Sequence, residues 1–375
     1  MCRWFAYISP TEPCLLSDVL ITPKHALTNQ VNDHYLPHLI AHLPDQTSAQ
    51  HEANARNRIL NADGLGIAWY TTSFSDFERG ATGESEDGKP HGGLHPATYK
   101  SVQPPRNDAN FHSICSNTET RCLFAHIRAT SAAAVAQVNN HPFVFGRTSF
   151  MHNGSVSDFT TIRRALCDLL DRDTYANIQG GTDSEHMAAL YMHFLTTTNP
   201  PRDDDDSENT KALWDREDYS LSQMTAAMHK TVTTIIFLQA QVLGAAAKPN
   251  SLNLAVTDGK KLVAYRFRNH AKEQPPSLYY STKAGVTLNR KYPDNADGNA
   301  EDNDGEVDAQ NKRSLFAEEE HGRHVIVASE PSTYKEHDWI LVGKNQCLMV
   351  DVDGAPVVED IPYDETWNVD DEEEA

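Results

Sequence analysis

The chain has 375 residues and a net charge of −21, from 32 basic and 53 acidic residues. So large an acidic excess repels phosphate groups, which excludes general nucleic-acid binding and attraction to anionic membranes. Hydrophobic residues make up 39% of the sequence, enough for a globular core, and no signal peptide or apolar run of about twenty residues is visible. None of the six cysteines forms a Cys-x-x-Cys pair. We therefore expect a cytoplasmic protein with free thiols.

A cysteine occupies the second position of the chain. Cysteine is small enough for Met1 to be removed after synthesis, which would leave Cys2 as the N-terminal residue. That one residue would then carry a thiol nucleophile and an α-amine with a pKa near ~8, able to act as a base at neutral pH. One residue is a weak motif, and the alternative is that Cys2 has no role.

The first half of the chain contains three candidate strands and one polar segment. Asp63-Gly64 indicates a turn, and residues 67–70 suit a buried strand. Residues 73–108 are rich in Gly, Pro, Ser and acidic residues, which is typical of a disordered surface insertion. Residues 122–128 and 147–152 predict two further strands.

Helical spacing of apolar residues begins in the middle of the chain. One helix is predicted to start at Ser157, and a second near Thr182, where Thr182 and Glu185 fit a capping box. Residues 199–212 form an acidic, disordered loop, and a long helix is predicted over 220–243.

The apolar period changes to two in the last third of the chain. A hairpin is predicted around the turn Asp258-Gly259, and it is followed by four strands at 278–281, 325–328, 339–342 and 347–352. Residues 293–320 are polar and acidic, which predicts a disordered insertion, and residues 356–375 form an acidic tail. Strands, then helices, then hairpins indicate one α+β domain over 2–355 with largely antiparallel sheets.

Four segments contain residue types suited to catalysis. They are Met1-Cys2-Arg3, His126-Ile127-Arg128-Ala129-Thr130, Asn140-His141-Pro142-Phe143 with His152-Asn153-Gly154, and Gly181-Thr182-Asp183-Ser184-Glu185. Together they resemble the class II glutamine amidotransferases, whose nucleophile is an N-terminal cysteine. Three further segments are residues 63–70, Tyr279-Tyr280-Ser281-Thr282 and Ala328-Ser329-Glu330-Pro331. They resemble the stand-alone members of that family, which include the amidotransferase-like subunit of the fungal glutathione-degradation complex.

The resemblance implies a fold and a set of roles. The fold is the N-terminal-nucleophile (Ntn) hydrolase four-layer αββα sandwich. Cys2 attacks the γ-carbonyl carbon of a γ-glutamyl group, and Asn153 and Gly154 form the oxyanion hole. Arg128 holds the substrate α-carboxylate through its planar fork, and Asp183 holds the α-ammonium. Any molecule with a γ-glutamyl head, glutamine and glutathione alike, fits such a site.

The remaining residues of the four segments have a supporting role by the same resemblance. We expect them to hold the site by hydrogen bonds, and they are His126, Thr130, His141, His152 and Thr182. The three histidines could instead bind zinc, but no spacing such as His-x-x-x-His is present among them. We therefore expect no metal and no cofactor.

Each main site residue also has a purely structural alternative. Arg128 could be a solvated residue at a strand end, and Asp183 an accessory to a helix cap. Asn153-Gly154 could be a simple hairpin turn.

No second catalytic domain is visible after residue 350, so the chain either passes ammonia to another subunit or hydrolyses its substrate. The leading hypothesis is a γ-glutamyl amidase that cleaves glutathione in complex with a metallopeptidase-like protein subunit. One alternative is a γ-glutamyl hydrolase of ergothioneine synthesis. Another is a regulatory or scaffold subunit with a vestigial site, suggested by the acidic, insertion-rich surface.

Overall fold

The computed structural model describes residues 2–23, 25–31, 61–73, 93–130, 133–198, 213–216, 219–283, 322–333 and 338–369. Every strand pair in this part of the chain is antiparallel, as predicted. The strands are β1 (Arg3–Ile8), β2 (Cys14–Leu15), β3 (Leu65–Thr71), β4 (His95–Ser101), β5 (Glu119–Thr120), β6 (Cys122–Ile127), β7 (Phe143–Phe145), β8 (Thr148–Ser155), β9 (Ser251–Thr257), β10 (Leu262–Arg268), β11 (Tyr279–Ser281), β12 (Val325–Ala328), β13 (Ile340–Leu341), β14 (Gln346–Val350) and β15 (Pro356–Asp360).

The helices of the described residues lie on the outer faces of two sheets. They are α1 (Leu16–Leu20), α2 (Ala109–Asn117), α3 (Phe159–Cys167), α4 (Arg172–Ala176), α5 (Asp183–Thr198) and α6 (Leu221–Leu243). The first sheet has the order β13-β11-β12-β1-β6-β3-β4 and the second β15-β14-β10-β9-β8-β7. Helices α1 and α2 cover the first sheet, and α3, α5 and α6 cover the second. The expected α+β class and four-layer αββα sandwich are confirmed.

Strand β1 lies in the middle of the first sheet, between β12 and β6. Phe5 and Tyr7 pack towards α1 and α2, whereas Trp4 and Ala6 pack between the two sheets. Because both faces of the strand are covered, its sequence is apolar at consecutive positions instead of alternating apolar with polar. This central place fixes the position of the residue that precedes β1, which is Cys2.

The predicted β9–β10 hairpin is confirmed, with its turn at Asp258-Gly259. Strand β8 is the next neighbour of β9, and Asn153 and Gly154 pair there with Asn253 and Leu252. The alternative that Asn153-Gly154 forms a hairpin turn is therefore wrong, because both residues lie inside a paired strand.

Two helix starts show how far capping could be predicted. Helix α6 begins after Ser220, which forms a full capping box with Gln223. At α5 the Thr182 hydroxyl accepts from the Glu185 N–H at 3.2 Å, but the Glu185 carboxylate accepts from the N–H groups of Gln179 and Gly180. Only one of the two hydrogen bonds of the predicted capping box is therefore formed. The Glu185 carboxylate is bound to N–H groups of the preceding loop instead of returning to Thr182.

Two predicted irregular segments contain ordered structure. Strand β4 lies within the predicted insertion 73–108, where it pairs with β3 along its whole length. Strand β15 lies within the predicted tail, and Ile361 beyond it packs into the core on the second sheet. The ordered chain therefore continues past residue 355. The predicted insertions 199–212 and 293–320 lie outside the described residues. None of the helices in the described part of the chain has the length and apolar character needed to cross a membrane.

Candidate active site

Cys2 lies at the start of β1, where pairing of Arg3 with Ile127 sets it beside the end of β6. Its Sγ is 3.4 Å from both the backbone nitrogen and the carbonyl oxygen of Ala129. Burial raises the pKa of the Cys2 thiol, while the Ala129 N–H and the positive charge of Arg128 act in the opposite direction. The thiol therefore needs a nearby base to become a thiolate at neutral pH.

The backbone around Cys2 is held on both sides. The buried Arg3 donates from Nη1 to the Cys2 carbonyl oxygen at 2.8 Å. The Trp4 N–H donates to Ser329 Oγ at 3.1 Å, and the Ser329 N–H donates to the Trp4 carbonyl at 2.9 Å. Ser329 Oγ also accepts from Asn153 Nδ2 at 3.4 Å. One hydroxyl thus joins the start of β1 to the side chain of Asn153.

Gly154 has a backbone conformation that requires glycine. Its φ is +145°, and a Cβ built there would lie 1.8 Å from the Ser251 carbonyl oxygen. The adjacent Asn153 is buried, and its Oδ1 has no hydrogen-bond partner among the described residues. Strand β8 therefore places the side-chain amide of Asn153 next to the backbone of Gly154, which no side chain covers.

Arg128 follows β6 and is only 4% exposed. Its guanidinium donates to the Ala134 carbonyl at 3.0 Å, to Thr130 Oγ1 at 3.1 Å and to the Ala133 carbonyl at 3.4 Å. Burial lowers the pKa of Arg128, and the charges of Cys2, Asp63 and Asp183 raise it. The alternative of a solvated strand-end residue is wrong, because Arg128 is buried and its fork is bound by the loop that follows it.

Asp183 is the first residue of α5 and joins this helix to the end of β8. Its Oδ2 accepts from the Val156 N–H at 2.9 Å, and its Oδ1 accepts from the N–H and hydroxyl of Ser184 at 2.8 and 3.2 Å. A carboxylate offers about four lone pairs, so further acceptor capacity remains. The capping acceptor at the helix start is the Thr182 hydroxyl, which accepts from the Glu185 N–H. Because Asp183 also binds the Val156 N–H beyond β8, it does more than assist the cap.

The three predicted supporting histidines form a buried row. His126 Nε2 is 3.2 Å from the His152 carbonyl oxygen, and His152 Nδ1 is 2.9 Å from Ser184 Oγ. The rings of His126 and His141 lie 4.0 Å apart, and neither nitrogen of His141 has a hydrogen-bond partner among the described residues. Burial lowers the pKa of His126 to about 3 and also lowers those of His141 and His152, so all three rings are neutral at pH 7. In the described part of the chain no group of three or more His, Cys, Asp or Glu side chains could hold a metal ion.

The geometry brings together a thiol, a guanidinium and a carboxylate. The charges of Arg128 and Asp183 both act on the Cys2 thiol, and the charge of Asp183 acts on Arg128. Opposite charges that both act on a nucleophile suit a substrate that carries both an α-carboxylate and an α-ammonium.

Comparison with known proteins tests the family resemblance that the sequence indicates. No family model matches the chain. A curated relative, "Probable glutamine amidotransferase DUG3" of Saccharomyces cerevisiae, is 29% identical over 356 residues, which cover 93% of this chain and 82% of the relative. The expected resemblance to the class II glutamine amidotransferases is thus confirmed over nearly the whole chain. A solved glutamine aminotransferase class-II domain protein from Silicibacter pomeroyi has the same Ntn-type fold, with a TM-score of 0.53, 19% identity, and coverage of 97% of this chain and 100% of that one.

Ser329 is a residue of the candidate site for which the sequence alone predicts no role. Its segment, Ala328-Ser329-Glu330-Pro331, contributes to the family resemblance in the sequence. The contact between Ser329 and Trp4, however, spans 325 positions of the chain. A supporting role for Thr130, by contrast, can be predicted from the sequence. Thr130 lies only two residues from Arg128, whose guanidinium it contacts.

Proposed function

We propose that the chain hydrolyses γ-glutamyl amides with Cys2 as its nucleophile, and that glutathione is its substrate. One observation supports this above all: the Cys2 thiol lies against Ala129, within electrostatic reach of Arg128 and Asp183. A γ-glutamyl head has a carboxylate and an ammonium at one end and an amide at the other. The two charged side chains fit the first end, and the thiol fits the second.

The proposed reaction needs Met1 to be removed, so that Cys2 carries a free α-amine. The amine accepts the thiol proton, and the sulfur attacks the γ-carbonyl carbon. Asn153 Nδ2 and the Gly154 N–H donate to the oxyanion, each such donor being worth about 3–4 kcal/mol in the transition state. The C–N bond then breaks, and the leaving amine takes the proton from the α-ammonium of Cys2. Water, deprotonated by the same amine, hydrolyses the thioester and releases glutamate.

Substrate binding must rearrange the contacts of Arg128. Its fork is bound to Thr130, Ala133 and Ala134 in this structure. A substrate α-carboxylate is a stronger acceptor than these neutral oxygens, since charge-assisted bidentate pairs are about twice as strong. We propose that the carboxylate takes over part of the fork while Asp183 accepts the ammonium with its remaining lone pairs.

The choice of glutathione rests on the family resemblance and on the part of the substrate that the site recognises. Arg128 and Asp183 bind only the head of the substrate, so the leaving group can be ammonia or a dipeptide. With glutathione the leaving group is Cys-Gly. We further propose that the chain works in complex with a metallopeptidase-like subunit.

The test is glutamate release from glutathione and from glutamine, measured with C-terminally tagged protein purified with its natural partners. Cys2→Ala must abolish release, whereas the matched control Cys167→Ala, at the end of α3, must retain it. Mass spectrometry should detect removal of Met1 and a γ-glutamyl thioester on Cys2. Hydrolysis of glutamine alone would refute the glutathione assignment. Full activity in Cys2→Ala would refute the nucleophile.

A further inference from the structure

A polar cavity opens at the edge of the sandwich, between the edge strands β4 and β7, apart from the candidate active site. Its volume is about 390 Å³, within the range of roughly 300–1,000 Å³ typical of small-molecule sites. None of Cys2, Arg128 and Asp183 lines it. The residues that matter for its chemistry are Lys100, Gln137, Val138, Phe143, Gln179 and Glu185.

Lys100 brings a cation into this cavity without a close counter-charge. Its Nζ lies 5.1 Å from the centroid of the Phe143 ring. Within the described chain Nζ makes no hydrogen bond and no ion pair, and burial lowers the pKa of Lys100 to about 8. A half-buried ammonium held over an aromatic face and facing a cavity is ready to receive an anion.

Glu185 brings the opposite charge into the same cavity. Its Oε1 and Oε2 accept from the N–H groups of Gln179 and Gly180 at 2.9 and 2.7 Å, which fixes the carboxylate. Each oxygen keeps a second lone pair for a ligand. Burial raises the pKa of Glu185, while the charge of Lys100 lowers it. The charges of Lys100 and Glu185 therefore interact, but the two side chains are too far apart to form an ion pair.

We propose that this cavity is a second ligand site, which binds a zwitterionic amino acid or dipeptide with its carboxylate at Lys100 and its ammonium at Glu185. A ligand with both charges neutralises both side chains, whereas a phosphate would be repelled by the glutamate. The side-chain amides of Gln137 and Gln179 can bond to a peptide group, and Val138 and Phe143 offer an apolar wall for a side chain.

The site is distinct from the proposed catalytic centre but lies next to it along the chain. Glu185 is two residues from Asp183 on α5. Gly181, which precedes that helix, donates its N–H to Asn139 Oδ1 at 3.0 Å, and Asn139 follows Gln137 and Val138. The cavity lining is therefore connected, through Asn139 and Gly181, to the helix that begins with Asp183.

The test uses leucylglycine, which has no γ-glutamyl bond, so its outcome does not depend on Cys2 chemistry. Its binding to the wild-type protein is measured by isothermal titration calorimetry. We expect one molecule bound per chain, and binding weakened about tenfold or more in Lys100→Met and in Glu185→Gln. Lys100→Arg should retain binding. The matched control is Lys272→Met, at an exposed position, which should bind as the wild type does.

Three results would overturn the proposal. One is the absence of saturable binding by the folded wild-type protein. Another is loss of binding in Asp183→Asn but not in Lys100→Met, which would place the dipeptide in the candidate active site. The third is equal binding of N-acetyl-leucylglycine, which lacks the ammonium that Glu185 should hold. Unfolding temperatures of all variants show whether a loss of binding reflects a loss of fold.

Discussion

The hydroxyl of Ser329 connects the proposed nucleophile to the proposed oxyanion hole. It accepts from the backbone of Trp4 and from the side chain of Asn153, both buried. A buried donor that loses its acceptor costs about 1–3 kcal/mol. We expect Ser329→Ala to lower kcat for glutamate release by about tenfold with little change in KM, because the substrate head contacts Arg128 and Asp183 instead.

The matched control for this prediction is Ser332→Ala. Ser332 is as deeply buried as Ser329, but its hydroxyl has no hydrogen-bond partner among the described residues. Steady-state kinetics of the two variants should therefore differ. Equal kcat values in Ser329→Ala and Ser332→Ala would show that the Ser329 hydroxyl does not position Asn153.

At the scale of one strand, β8 depends on the absence of a side chain at Gly154. A Cβ there would lie 1.8 Å from the Ser251 carbonyl oxygen, and that oxygen belongs to the paired strand β9. We expect Gly154→Ala to separate β8 from β9 locally and to lower the free energy of unfolding by more than ~2 kcal/mol. Urea denaturation measures the change.

Gly181 provides the control for Gly154. It also lies in a segment of the candidate site, but a Cβ there would meet no atom within 4 Å. We expect Gly181→Ala to change the free energy of unfolding by less than ~1 kcal/mol. A Gly154→Ala protein as stable as Gly181→Ala would contradict the requirement for glycine in β8.

The sequence predicts best those elements whose apolar pattern is complete. Helix α6 and the β9–β10 hairpin have long regular patterns and clear end signals, so they could be predicted closely. Strands β4 and β15 could not, because each is an edge strand that contributes little to the buried core. Strand β4 is held by pairing with β3 and β15 by pairing with β14, and pairing leaves no mark in local composition.

At the scale of the molecule, the sequence indicates which segments form the site but not how they meet. Periodicity supports only an α+β class, and the layer order came from the family resemblance. Register joins β1 to β12, more than 300 positions away, and thereby brings Ser329 to Trp4. The cavity between β4 and β7 cannot be predicted from the sequence either, because the composition around β4 predicts an irregular insertion.

The sandwich buries three neutral histidines, and this predicts how its stability depends on pH. Burial lowers the pKa of His126 to about 3 and lowers those of His141 and His152, while the unfolded value is near ~6.5. Between about pH 6.5 and 3 the unfolded chain binds a proton at His126 that the folded chain excludes, and His141 and His152 contribute in the same direction below about pH 6.5. The free energy of unfolding therefore falls as the pH falls through this window, by up to ~1.4 kcal/mol per pH unit for each histidine.

His141 allows this prediction to be isolated. Its ring centroid lies 4.0 Å from that of His126 and 4.7 Å from that of Phe143, so His141→Phe keeps an aromatic ring and removes one protonation site. We expect the stability at pH 7 to stay within ~1–2 kcal/mol and the loss of stability towards acid to become shallower. Urea denaturation at several values between about pH 4 and 8 measures both quantities. Parallel curves for the wild type and His141→Phe would show that His141 binds its proton as readily in the folded as in the unfolded protein, which would contradict a lowered pKa for this buried ring.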